Sequence, residues 1–234
     1  MDITYLVLVL PAVIFALWAQ GYVKRTFKKY SQVGNAGGLT GAEAARRILQ
    51  MSGIYDVQIE HIAGELTDHY DPKAKKLRLS ESTYSSTSVA AVGVAAHEVG
   101  HAIQHSEGYS PLTLRNAIIP VTNIGSKLAV PLIILGLLLT TYGEKYIMLA
   151  YIGVLCFALS TVFQLLTLPV EFNASHRALN ILETSNMLYD KELVGARKTL
   201  KAAALTYVAA LAVSLMQLLR LLLIVSGGRS RRRR

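Results

Sequence analysis

Val94-Ala95-Ala96-His97-Glu98-Val99-Gly100-His101-Ala102 is the stretch on which the reading of this 234-residue chain turns. Its small and apolar residues suit a buried helix. On a helix, His97 and His101, four residues apart, lie one above the other, so their imidazoles can converge on one metal ion. Glu98 follows His97 directly and can reach a water on that ion rather than the ion itself. Zinc acidifies such a water, and a carboxylate beside it can take the proton as the water attacks a peptide carbonyl. The competing account is a pair of satisfied core histidines with a neighbouring Glu. Burying two imidazoles and a carboxylate on an apolar helix is costly, however, without a partner such as a metal.

A catalytic zinc takes three protein ligands and keeps one position open. His105 lies four residues beyond His101, but His97 and His105 would stand ~12 Å apart along a helix axis, too far to share one ion. Glu171 lies in Leu168-Pro169-Val170-Glu171-Phe172-Asn173-Ala174-Ser175 and is the first charge after a long apolar run. An acidic residue at that depth needs a partner, and zinc supplies one, so Glu171 is the expected third ligand. Otherwise it is an interfacial carboxylate or a helix N-terminal charge. His176 either lines the cleft, where it could help stabilise an oxyanion, or is exposed. His69 either contacts substrate or stabilises a turn, and His61 reads as surface.

Outward from this segment the chain is unusually apolar: 52% of its residues are hydrophobic, more than in most soluble domains of this length. Charges avoid residues 3–23, 128–142 and 146–170, and 202–225 is apolar with Arg220 as its one charge; these read as four membrane segments, the second of them short enough to begin earlier, near Val121. Lys24, Arg25, Lys28 and Lys29 follow the first segment. A cleavable signal peptide carries its charge before the apolar run, so this segment is expected to be a retained helix. The Gly143-Glu144-Lys145 break makes a tight membrane hairpin of the middle two. Ser214, Gln217 and Arg220 recur at a spacing of three in the last, a polar stripe that faces the bundle or water.

The net charge is +9, and Arg229 and Arg231 to Arg234 supply five of the positive charges. Such a run beside an apolar helix serves as a membrane-surface anchor or topology determinant. Without aromatic residues interleaved among the basic ones, nucleic acid is not an expected partner. Four spans put 24–127 and 171–201 on one side. Nine basic residues near helix ends on that side, against six on the other, favour a cytoplasmic active site. The lone Cys156 excludes an intramolecular disulfide.

Within the polar regions, Thr40 with Glu43 forms a capping-box pattern before a helix over Ala42–Met51. Val57 to Ile62 alternates as a strand. His69-Tyr70-Asp71-Pro72 reads as a turn, followed by a strand over Lys75–Ser80 with Leu77 and Leu79 on one face. Ser85 to Ser88 can cap a helix from Val89 to about His105, and 171–201 has a helical pattern. The expected fold is mainly α: a polytopic helical membrane protein with a zincin-like catalytic core and a small β element. Residues 1–234 are taken as one membrane-embedded peptidase domain.

The stretches Leu66-Thr67-Asp68-His69-Tyr70-Asp71-Pro72, Leu77-Arg78-Leu79-Ser80, Ala96-His97-Glu98-Val99-Gly100-His101-Ala102-Ile103-Gln104-His105 and Pro169-Val170-Glu171-Phe172-Asn173-Ala174-Ser175 resemble the YugP-type membrane zinc metallopeptidases of bacteria. The likeness covers nearly the whole chain. A more distant likeness is to the gluzincin membrane proteases, such as the CAAX-prenyl endopeptidases, which pair His-Glu-x-x-His with a downstream Glu ligand. Those place an Asp four residues after that Glu to orient a ligand His. Ser175 stands there in this chain, with Asn173 nearby, and either could make the hydrogen bond. His105 and His69 are further candidates to line the cleft. The resemblance implies that an extended strand before the zinc helix pairs with substrate, a position matched by Lys76, Leu77, Arg78, Leu79 and Ser80.

Together these imply a Zn2+-dependent endopeptidase of a bacterial cell membrane, with His97, His101 and Glu171 as ligands and Glu98 as base. Its partners would be a protein or peptide substrate and membrane lipid, with room for a regulatory membrane partner or a homo-oligomer. The alternative is a non-catalytic membrane scaffold or adaptor whose zinc site is structural. That site would be closed by a fourth protein ligand and have no need of Glu98.

Overall fold

A computed structural model of the chain describes residues 3–230, with the side chains of 228–230 left aside. The Arg231–Arg234 run and the side chain of Arg229 therefore lie outside the described residues. The elements in chain order are α1 (Leu10–Tyr30, preceded by a π turn at Tyr5–Val9), α2 (Gly41–Met51), β1 (Gln58–Ile62), β2 (His69–Asp71), β3 (Lys76–Ser80), α3 (Glu81–Tyr84), α4 (Val89–Ser106), α5 (Ser110–Leu139), α6 (Ile147–Thr184) and α7 (Asp190–Ser230). The protein is mainly α with one small sheet.

The chain divides into two compact units. The second, Ala19–Thr113 with Pro169–Thr206, is built around α4. Ser88 starts that helix by accepting the backbone N–H of Ala91 at 3.1 Å, which satisfies a donor the first turn would otherwise leave open. From there the helix is buried on most of its circumference, through Val92, Ala95, Ala96, Val99 and Ala102. Its neighbours supply Ala44, Ala45 and Ile48 of α2, Leu77 and Leu79 of β3, Leu182 of α6 and Ala196 and Leu200 of α7. The α2 helix carries the full capping box: Glu43 N–H donates to Thr40 Oγ1 and Thr40 N–H to the Glu43 carboxylate.

The sheet corrects two expectations. Its strand order is β1-β3-β2, with β1 parallel and β2 antiparallel to β3. Lys76–Ser80 is therefore the central strand, hydrogen-bonded along one edge to Gln58–Ile62 and along the other to His69–Asp71. It has no free edge on which to pair with a substrate backbone, so the substrate-strand assignment for Lys76, Leu77, Arg78, Leu79 and Ser80 fails. The edges open to another strand belong to β1 and β2. Second, His69-Tyr70-Asp71 is a strand, not a turn. The turn follows it, where Asp71 Oδ1 accepts from Lys73 N–H (3.0 Å) and Ala74 N–H (3.1 Å) and Lys75 takes φ 51°. The helical pattern over 171–201 is also interrupted. Helix α6 ends at Thr184 and α7 begins at Asp190, with Asn186 at φ 52° between them, a conformation Asn tolerates better than most residues.

The described residues of the other unit fall within 3–18, 114–168 and 207–230. Among the described residues, four helical spans are long and apolar enough to cross a membrane: Tyr5–Tyr30, Ser110–Leu139, Glu144–Thr184 and Asp190–Gly227. The second begins at Ser110, well before the charge-free run at 128, which removes the difficulty of its length. In this unit α5 and α6 approach backbone to backbone. A Cβ on Gly136 would lie 2.3 Å from Ala150 N, and one on Gly153 would lie 2.7 Å from Ala129 O. Small residues at such contacts let membrane helices pack without a hydrophobic drive between them. Ile133, Ala150, Val154, Leu221 and Val225 form the interior, while Ile134, Leu138, Leu155, Val162 and Leu165 are exposed. That outward apolar surface suits lipid rather than water. The polar stripe of α7 faces inward at Ser214, whose Oγ lies 2.7 Å from Thr161 Oγ1 on α6. Arg220 stacks its guanidinium 5.3 Å from the Tyr5 ring.

Gly136→Leu is expected to lower the melting temperature of the purified protein by at least about 3 °C through overpacking. Gly227→Leu, where a side chain meets open space, is expected to leave it unchanged. Differential scanning fluorimetry in one detergent checks both, and equal losses would remove the packing argument.

Candidate metal centre

Two helices supply the site. His97 and His101 stand one turn apart on α4, their rings edge to face with centroids 4.8 Å apart. Glu171 comes from α6. Its reach depends on Gly100, because a Cβ there would sit 2.7 Å from the carbonyl oxygen of Ala174. The two backbones are thus in near contact one turn beyond Glu171. A glycine costs about 1 kcal/mol relative to alanine in a helix interior, and here the close approach accounts for it.

Glu171 Oε2 lies 3.3 Å from His97 Nε2 and 3.6 Å from His101 Nε2, and the three donor atoms lie within 4.8 Å of one another. A tetrahedral ion with bonds near 2 Å separates its ligand atoms by ~3.3 Å, so the spacing already present fits zinc. The far side of each ring is engaged elsewhere. His97 Nδ1 is 3.1 Å from Ser175 Oγ, and His101 Nδ1 is 3.0 Å from Gln104 Oε1. Glu171 is 5% exposed and Glu98 9%. Two imidazole nitrogens and a carboxylate oxygen are a donor set suited to zinc. Among the described residues the group has these three members.

Burial pulls the His101 imidazolium down. The Glu171 carboxylate against Nε2 and the charge of Glu98 outweigh it, and the group sits above the ordinary imidazole range. Glu98 accepts no hydrogen bond from the described residues, so its carboxylate is uncommitted beside the donor set.

The remaining sequence candidates fall outside the donor set. His105 is exposed and its Nδ1 lies 2.8 Å from Tyr70 Oη. Burial, with the charges of Asp56 and Asp71, pushes that phenol up to about 12, so it stays protonated and can donate. A cavity of about 200 Å³ opens beside this pair, lined also by Ile54, Asp56, Lys75 and Ala102. His176 is exposed on α6. His69 belongs to the sheet: its Nδ1 is 2.9 Å from Thr67 O, and Arg78 Nη1 is 3.2 Å from its Nε2. His61 packs edge-on against Tyr84. Asn173 does not touch a ligand histidine. Its Oδ1 accepts from Gln104 Nε2 at 2.9 Å and from Arg177 Nε at 2.8 Å. Of the two residues expected to orient a ligand, Ser175 is the one in contact with it. Gln104 is a further contact of the site, beyond the candidates drawn from the sequence; a lone amide on the apolar face of α4 is its signal there.

A model of the family described as "Putative neutral zinc metallopeptidase" matches residues 5–226. The chain belongs to this family. It is also 48% identical, over 225 residues covering 96% of the chain and 98% of the relative, to the "Putative membrane protease YugP" of Bacillus subtilis (strain 168). No solved structure matches. The family thus supplies zinc as the metal for which the donor set has the right chemistry.

Two outcomes follow for metal binding. A raised His101 in the metal-free protein holds a proton that a metal must displace. Apparent Zn2+ affinity is therefore expected to fall as pH is lowered through and below that titration, with proton release on binding, and calorimetry in buffers of different ionisation enthalpy measures both. Gly100→Ala is expected to push α6 away and weaken Zn2+ binding at least about tenfold, at a stability cost of about 1–3 kcal/mol. A chelator competition that finds wild-type affinity in Gly100→Ala would contradict the close-approach account.

Proposed function

We propose that the chain is a zinc-dependent membrane endopeptidase of the gluzincin kind, His97, His101 and Glu171 holding the metal through His-Glu-x-x-His and a downstream Glu. The observation that carries this is the convergence of His97 Nε2, His101 Nε2 and Glu171 Oε2, with the uncommitted carboxylate of Glu98 near enough for its charge to act on His101. When bound, zinc supplies a Lewis acid that polarises the scissile carbonyl and acidifies water.

The chain's own groups do the rest. Glu98 accepts a proton from the attacking water and returns it to the leaving amine nitrogen, so that one carboxylate serves both halves of peptide hydrolysis. Ser175 and Gln104 hold the imidazoles so that both Nε2 atoms face Glu171. A three-donor set leaves one position for water and substrate, which a structural site does not. Residues 1–234 act as one membrane-embedded peptidase domain. Its substrates are membrane proteins or unfolded segments presented at the bilayer surface of a bacterial cell, and the active site faces the cytoplasm.

Purified wild type is expected to bind one zinc and to cleave casein or a model membrane substrate. Glu98→Gln should keep the metal and lose at least about a hundredfold in rate, and Glu171→Ala should lose the metal. Zinc bound in wild type with cleavage indifferent to Glu98→Gln would sink the enzyme and leave a structural zinc site in its place.

A further inference from the structure

Gln104 links the two helices of the site. It is fully buried, and its amide makes three hydrogen bonds: two cross from α4 to α6 and one stays within α4, to His101. Nε2 donates to Val170 O at 2.8 Å and to Asn173 Oδ1 at 2.9 Å. Both partners are acceptors here, because Asn173 Oδ1 also accepts from Arg177 Nε. The nitrogen end of the Gln104 amide must therefore point at α6, and its oxygen end at His101. An amide oxygen only accepts, so in the neutral ring that binds a metal the proton of His101 lies on Nδ1 and the lone pair on Nε2, the atom that faces Glu171. Val170, whose carbonyl the same amide grips, directly precedes Glu171.

We propose that Gln104 is a positioning residue that fixes the His101 tautomer and holds the Glu171 segment of α6 in register with it. The proposal rests on the metal-site reading above and deepens it. A second set of contacts supports the clamp from behind. Arg177 reaches back from α6 to Glu107, with Nη1 2.7 Å from Oε2, and Glu107 is the C-cap residue of α4. Asn173 is thus held with its oxygen toward Gln104 by a residue that also ties the end of α4. The order of the chain His101–Gln104–Asn173–Arg177–Glu107 leaves one orientation for the Gln104 amide. His97 has no such constraint: its contact is the Ser175 hydroxyl, which can donate or accept. The two ligand histidines therefore differ, and only the tautomer of His101 is dictated by the protein.

The test uses the full chain in detergent with Co2+ as the probe. Affinity is read by chelator competition, coordination by the visible Co2+ spectrum, and stability by melting of the metal-free protein. Gln104→Met, which removes acceptor and donor together, is expected to weaken Co2+ about tenfold to a hundredfold and to alter the spectrum. Gln104→Glu restores an acceptor for His101 Nδ1 and is expected to bind within about threefold of wild type, although it too melts lower because the grip on α6 is weakened. A purely structural clamp predicts that affinity follows melting, so that both variants lose metal together. That result, or a Gln104→Met affinity within about twofold of wild type, overturns the proposal. If Gln104→Met does not fold, Gln104→Glu decides alone: a loss beyond about tenfold counts against positioning. His97→Ala separates the two levels. If it binds Co2+ as wild type does, the donor set is not a metal site and both readings fall. If it loses Co2+ while Gln104→Met keeps it, only the positioning role falls.

Discussion

The near contact of the α4 and α6 backbones at Gly100 and Ala174 is the constraint on which the rest of the structure depends. Two histidines on one helix can face a common point by spacing alone, but a third ligand from a distant segment arrives only if its helix comes close enough. Every side chain beyond hydrogen at position 100 would hold α6 off. Gly93 plays the same part toward α7, where a Cβ would meet the Cβ of Ala196 at 3.1 Å. The surroundings are built to match, from Ala95, Ala96, Ala102, Ala174, Ala178 and Ala196, all buried. Two glycines weaken α4 as an isolated helix, so its order comes from packing on all sides rather than from propensity.

That packing brings charged and titratable groups together in a largely buried place. Glu171 is surrounded by the two Nε2 atoms, while Glu98 accepts from none of the described residues. Two carboxylates, one committed to the donor set and one uncommitted, is the division of labour that hydrolysis at a metal asks for: one group holds the charge in place and the other moves a proton. The same arrangement couples metal to stability. Without an ion, the imidazoles and the carboxylate depend on one another and on protons. A bound Zn2+ would be shared by the three donor atoms and would take the place of those protons.

Much of this was legible in the sequence because it is written in short-range pattern. The capping box at Thr40 and Glu43, the start of α4 after Ser88, the His97–His101 spacing and the charge-free runs all reflect rules that act within a few residues. Glu171 could be found because a charge directly after an apolar run calls for a partner. What escaped depends on distant pairing. Alternation in Lys75–Ser80 shows that Leu77 and Leu79 are buried, but it does not show that both edges of the strand are taken. The three-residue β2 is too short to carry an alternation of its own. The start of α5 was masked by Arg115, Asn116, Thr122, Asn123, Ser126 and Lys127, polar residues that a charge-free criterion treats as outside the span. The amide of Gln104 acquires its meaning from the Val170 carbonyl, 66 residues away.

The way the chain is partitioned explains why a peptidase of this kind is tied to apolar helices at all. His97, Glu98 and His101 fall in the segment Ala19–Thr113, which joins Pro169–Thr206 in one unit, whereas the chain between them, Leu114–Leu168, belongs to the other. Glu171 stands two residues after Pro169, within a helix that began at Ile147 among apolar residues. The polar segment before the hairpin therefore holds the proposed base and two proposed ligands but lacks the proposed third, which is delivered by the continuation of α6. A fragment ending before the hairpin would carry the His-Glu-x-x-His pattern without Glu171, without the Ser175 contact on His97 and without either acceptor for the Gln104 amide. The candidate metal centre is a property of the chain folded through its apolar helices, and the motif alone is only its first half.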